Sequence, residues 1–211
     1  MKNRLLVIFI FFSSVVFGQV ESNYKIYSKV IDSFIDNWDS DRDTLTNVVL
    51  IEKFIPRENY LLSYYDIFYK SETKEDITYR NWILKYDSSL INLVETESIK
   101  ECLFNLENNL YNSPLLEKEN LSLKTPFTLI SSKRFDRFFI FDIQKGWNKF
   151  YKKYPKSAGV FMLSRVEYSG NYACIYVEHH GGGLFGSGDI LILKHENDNW
   201  DILGLINVWI S

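Results

Sequence analysis

The stretch from Gly159 to Ile210 limits the fold most. Four apolar runs follow one another there: "GVFMLSRVEY", "YACIYVEHH", "DILILKH" and "WDILGLINVWI". The separators are "SGN", the glycine stretch between His180 and Asp189, and "ENDN", all built from residues that favour turns. Parallel neighbours need a crossover of a dozen or more residues, so connections this short predict antiparallel pairing in chain order. The expected fold is α+β: an antiparallel four-stranded C-terminal meander packed against helices.

Alternation assigns the faces of that meander. In the second run Ala173, Ile175 and Val177 point one way and Tyr172, Cys174 and Tyr176 the other. In the last, Ile202, Ile206, Val208 and Ile210 oppose Asp201, Leu203, Leu205, Asn207 and Trp209. Neither face is strongly polar, which predicts helices over one side and partial shielding of the other.

The cover is written upstream. From Ser22 to Trp38 the apolar side chains Tyr24, Tyr27, Val30, Ile31, Phe34, Ile35 and Trp38 recur at helical spacing, giving an N-terminal amphipathic helix. "TNVVLIEKF", from Thr46 to Phe54, reads as a strand. "DITYRNWILKY" and "ESIKECLFNLENNL" have helical spacing. "NLSLKTPFTLIS" reads as a strand that Pro126 confines to an edge or a bend. "GWNKFYKKYP" reads as a short helix stopped before Pro155, with Trp147, Phe150, Tyr151 and Tyr154 on one side. With no repeat and no low-complexity linker, residues 19–211 read as a single α+β domain.

Residues 1–18 read as a signal peptide. Lys2 and Arg4 precede an apolar region from Leu5 to Phe12, and Val15 to Phe17 lead to Gly18. That region is short for a bilayer span of about 20 residues, so the expectation is cleavage before Gln19 and a secreted or periplasmic domain with no membrane span; an uncleaved anchor helix is the alternative. No cysteine follows the cleavage region to take a lipid. Losing Lys2 and Arg4 takes the formal charge from −3 to −5 and leaves no long basic run, which argues against nucleic acid. Cys102 and Cys174 could form a disulfide in such a compartment, or Cys174, inside "YACIYV", could serve as a small buried apolar group.

The C-terminal third resembles a group of uncharacterised secreted bacterial proteins. The likeness rests on a W-x-x-F-Y-x-x-Y-P-x-S-x-G segment at Trp147 to Gly159, an S-R-V strand at Ser164 to Val166, a Gly-Gly-Leu turn at Gly182 to Leu184 and a closing W-I-S at Trp209 to Ser211. The resemblance implies secretion and an α+β fold and brings no activity. In that group two cysteines often flank the turn; this chain has Gly181 and Phe185 there, which removes a redox or disulfide role for the turn.

"VEHHGGGLFGSGD" concentrates the remaining candidates. Neighbouring residues of a strand face opposite ways, so His179 and His180 cannot both chelate one ion. Glu178 and His180 share a side, and with Asp189 or Ser187 joining across the hairpin they could hold a metal or supply acid and base for a hydrolase. The plainer reading is polar residues gathered at the open end of a hairpin, as no spacing matches a zinc motif. "HGGG" lacks the Gly-x-Ser-x-Gly of lipases, and no Gly-Lys-Ser or Gly-Lys-Thr forms a phosphate loop. No cofactor is implied.

The glycines Gly181, Gly182, Gly183, Gly186 and Gly188 permit positive φ, so the loop could offer amides to an anion or peptide terminus; otherwise it is a bulged hairpin with Leu184 and Phe185 tucked back. Lys145, Lys149, Lys152, Lys153 and Lys156 form a basic patch interleaved with aromatics, suited to an acidic glycan or lipid headgroup or to plain solvation. The leading expectation is a non-catalytic binding domain for an extracytoplasmic protein, peptide or glycan, contacted through Gly182, Gly183, Leu184, Phe185, Lys152 and Lys153. The enzyme alternative uses Glu178, His180 and Asp189.

Overall fold

The computed structural model describes residues 21–37, 45–55, 69 and 89–211. The expected signal segment, Trp38 and the expected helix over 76–86 lie outside the described residues.

Helix α1 (residues 21–36) forms where the apolar spacing predicts it. Ile26, Tyr27, Val30 and Ile31 are buried, and Tyr24, Phe34 and Ile35 pack at the margin. Polar side chains every fourth residue lie in one row along the helix and hold a crossing loop. Tyr24 Oη accepts from Glu117 N (2.8 Å), Ser28 Oγ from Ser122 N (3.1 Å) and Asp32 Oδ1 from Lys124 N (3.1 Å). Loop amides that no strand or helix pairs are satisfied this way.

Among the described residues seven strands make one sheet: β1 (Asn47–Ile51), β2 (Phe127–Ile130), β3 (Ser157–Leu163), β4 (Glu167–Ser169), β5 (Tyr172–Gly182), β6 (Phe185–Glu196) and β7 (Asn199–Ile210). Their order is β2-β1-β3-β5-β6-β7, with β4 paired to β5. The run from β3 through β7 is antiparallel, but the four-stranded antiparallel sheet expected from the sequence is corrected: β1 pairs parallel with both β2 and β3, and the sheet is mixed. "NVVLI" carries no alternation because β1 is covered on both faces, the usual state of a parallel strand. Its partners are reached through long crossovers containing helices, so no short connection announces them. β2 occupies the edge, as Pro126 predicts, and the Pro126 carbonyl accepts from Val48 N at 2.8 Å.

The crossovers supply α2 (Ser89–Val94), α3 (Glu97–Asn109), α4 (Ser132–Asp136) and α5 (Ile143–Lys153). Asp142 caps α5 by accepting from Lys145 N at 2.7 Å. The helix ends before Pro155, which cannot continue it. Beneath α5, Phe135, Trp147 and Phe150 meet edge to face with centroids 5.3–6.0 Å apart.

Each face of the sheet has its own core. Val49, Ile51, Val160, Cys174, Tyr176, Ile190 and Ile206 pack with residues of α2, α3 and α5. Val48, Leu50, Phe161, Ala173, Ile175, Val177 and Leu191 pack under α1. The β5 faces are those its alternation predicts. Helices lie on both faces, and on the α1 side Leu205, opposite Leu191, stays 40% exposed, so that face is the partly shielded one.

In β7 the predicted faces fail at two bulges. Leu193 pairs with Ile202 and Ile192 with Gly204, leaving Leu203 extra; Asp189 pairs with Asn207 and Gly188 with Trp209, leaving Val208 extra. One extra residue exchanges the faces of everything after it. Ile202 therefore packs under α1 while Ile206 and Val208 join the opposite core.

Cys102 and Cys174 are both buried free thiols. Cys102 Sγ donates to the Glu167 carbonyl at 3.0 Å, and burial together with the Cys102 thiol raises the Cys174 thiol well above its ordinary pKa.

Candidate functional site

Toward its C-terminal end β5 places Tyr176, Glu178 and His180 on one face, over the α3 and α5 side. Trp209 Nε1 donates to Tyr176 Oη at 2.8 Å, and Tyr176 Oη donates to Glu178 Oε1 at 3.1 Å. His180 Nε2 lies 3.1 Å from Glu178 Oε2, and the His180 ring tilts over Trp209 with centroids 5.3 Å apart. Tyr176 and Glu178 are buried, and His180 is partly exposed. Gly188, opposite Glu178, makes the chain of bonds possible: a Cβ there would stand 2.1 Å from Trp209 Nε1 and 2.4 Å from Tyr176 Oη. Glu178 accepts from Tyr176 on one side and meets the His180 imidazole on the other. The chain of bonds ties β5 to β7.

The opposite face holds a different set. Asp189 pairs with Val177 across the hairpin, so its side chain points under α1, away from Glu178 and His180. Asp189 Oδ2 accepts from Ser187 Oγ and Oδ1 from Asn207 Nδ2, each at 2.7 Å. Burial raises the Asp189 carboxyl, and those two donors work against the rise. The expected Glu178, His180 and Asp189 constellation is thus corrected: two of its members meet and the third is on the other side of the sheet. Among the described residues no group of three or more His, Cys, Asp or Glu side chains is placed to hold a metal.

His179, as alternation predicts, faces away from His180. Its Nε2 donates to the Ala158 carbonyl at 2.6 Å, and its ring stacks on Phe161 at 4.4 Å. Burial lowers its pKa from 6.5 to about 4, so at neutral pH it is an uncharged packing group with one donor.

The hairpin between β5 and β6 turns through Gly183 and Leu184, with Gly182 paired to Phe185. Leu184 is 90% exposed and Phe185 52%, so Leu184 does not tuck back onto the sheet. Phe185 leans edge-on against His179 at 5.7 Å. The glycine stretch does not use the positive φ it permits, since the described glycines with positive φ are Gly159 and Gly170, and the hairpin carries the expected bulge, at Gly181. Space, as at Gly188, is what the stretch needs.

Helix α5 flanks the tip. Tyr151 Oη donates to the Gly181 carbonyl at 2.7 Å, and a Cβ on Gly183 would lie 3.2 Å from Ile143 Cγ2. Lys152 and Lys153 are exposed in the last turn. Sequence reasoning missed Ile140, Phe141 and Ile143, exposed by 65%, 86% and 62%. The signal was present in "FFIFDI", an apolar run between a short helix and Asp142 with no strand neighbour to bury it. A cleft of about 780 Å³ lies elsewhere, between Tyr24, Ser28, Lys29, Glu117 and Trp200.

No family model, curated protein or solved structure matches this chain.

Proposed function

We propose that the chain is an exported, non-catalytic binding domain whose contact surface is the β5–β6 hairpin tip together with basic helix α5. The observation that carries the reading is Leu184, 90% exposed on a hairpin that the Tyr151–Gly181 hydrogen bond ties to α5. Exposed apolar side chains gathered at one place mark interaction surfaces, whereas scattered single ones do not. Export rests on the order of charge, apolar run and small residues in 1–18, and on the resemblance of the C-terminal third to secreted proteins. Among the described residues no helix is long and apolar enough to cross a membrane.

The test is a photo-crosslinking residue at Leu184, Phe185 or Lys152 in producing cells, with exposed Glu119 as the remote control. Adducts from the tip and none from Glu119 are expected. Absence of any adduct from all three positions refutes the contact surface. A hydrolase reading keeps one favourable observation, the 3.1 Å Glu178–His180 pair. It predicts a stoichiometric ion in the purified protein that His180→Ala removes, and a metal-free protein with no ester or amide turnover ends it.

A further inference from the structure

We infer that the tip surface docks on an anionic lipid bilayer, with Leu184, Phe141, Ile140 and Ile143 entering the headgroup layer and the surrounding lysines meeting lipid phosphates. This rests on the contact surface proposed above and names what it contacts.

Two observations converge. The four side chains are exposed by 62–90%: Ile140 and Phe141 lie just before α5, Ile143 opens it, and Leu184 stands on the hairpin turn. The two places are neighbours: a Cβ added to Gly183 would stand 3.2 Å from Ile143 Cγ2, and Tyr151 of α5 bonds the Gly181 carbonyl. Along the segment that carries three of them the charge is one-sided. Residues 133–156 hold eight lysines and arginines against Asp136 and Asp142, a local net of +6 in a chain whose formal total is −3. All eight cations are exposed, and Lys149 Nζ sits 5.9 Å above the exposed Phe141 ring. A basic surface on an otherwise acidic molecule turns that side toward negative charge before contact.

An acidic protein would satisfy the charge but fits the rest less well. A stable protein interface covers about 800 Å² on each partner and centres on packed anchors, most often Trp, Tyr or Arg. Here a few aliphatic and phenyl groups stand at turn tips. A bilayer accepts such groups without shape complementarity, and lysines around them add to binding in proportion to their number.

Flotation of the full chain with vesicles tests this, using phosphatidylcholine alone or mixed with phosphatidylglycerol. Binding is expected with the anionic vesicles, at least ten-fold tighter than with the neutral ones, and weakening as salt rises. Near an anionic surface each basic residue contributes roughly five-fold, so Lys145→Glu with Lys149→Glu should weaken binding by about 25-fold or more. Phe141→Ser with Leu184→Ser should weaken it about ten-fold at unchanged charge, and Lys118→Glu, on the loop that α1 holds, should leave it unchanged. Equal binding to both vesicle types, no binding at low salt, or equal loss with Lys118→Glu overturns the inference. The wild-type lipid and salt comparison needs no variant to fold. Crosslinks from Leu184 to protein with no vesicle binding would sink the bilayer and leave the contact surface standing. No adduct of any kind sinks both.

Discussion

Lowering the pH should destabilise this protein through one side chain. His179 is buried, stacked on Phe161 and donating Nε2 to the Ala158 carbonyl, so protonation would place an imidazolium charge out of water. Its pKa falls from 6.5 to about 4 on folding. A histidine depressed in this way gives up protons when the chain folds, so the stability it confers is complete above pH 6.5 and is lost as pH falls toward 4. At 1.36 kcal/mol for each pKa unit, the loss between pH 7 and pH 4.5 is about 2.4 kcal/mol, a large share of the 5–15 kcal/mol typical of a domain. Buried carboxyls with raised pKa, Asp189 among them, act with the opposite sign, so the wild-type slope alone does not isolate His179. The measurement is urea unfolding at pH 7.0, 6.0, 5.0 and 4.5 for wild type and His179→Gln, which keeps an N–H for Ala158 and does not titrate. The difference between the two should shift by about 2 kcal/mol in favour of the variant as pH falls. Parallel pH profiles, or a His179 ring resonance titrating near 6.5, would refute the reasoning.

Gly188→Ala drives a methyl into Trp209 Nε1 and Tyr176 Oη and should cost about 2–4 kcal/mol in urea unfolding, while Gly183→Ala, beside the single Ile143 methyl, should stay within about 0.5 kcal/mol. Tyr176→Phe removes the hydroxyl between Trp209 and Glu178 and leaves buried Glu178 short of a donor; a loss of about 1–3 kcal/mol is expected by the same assay. Cys102 and Cys174, both fully buried, should resist a thiol reagent in the native protein and react in denaturant; rapid native labelling would show the core between α3 and β5 to be open.

The sequence pattern specified what is local. Short turns set the antiparallel order of β3 to β7, and the period of two in "YACIYV" placed Ala173, Ile175 and Val177 under one core and Cys174 and Tyr176 under the other. The parallel pairs of β1 were hidden because no local signal names a partner that arrives after a helical crossover. Extra residues were equally hidden. Leu203 and Val208 look like ordinary members of an alternating run, yet each exchanges the faces beyond it. The separation of Asp189 from Glu178 is a matter of register: the turn at Gly183 and Leu184, with Gly181 extra on β5, sets Asp189 against Val177. Knowing that both residues lie near a hairpin end does not determine that parity. The pairing of His180 with Glu178 follows from spacing of two, and it is the part of the candidate site that spacing could deliver.

The bulges in β7 bear on how the molecule behaves in a crowded solution. A strand of twelve residues at the border of a sheet is a template onto which another copy can add, the first step toward ordered aggregates. Leu203 and Val208 cut that template into Asn199–Ile202, Gly204–Asn207 and a terminal pair, so evenly spaced donors and acceptors never continue beyond four residues. Deleting Leu203 would restore the regular spacing across the first break and should make the protein form fibres more readily at high concentration.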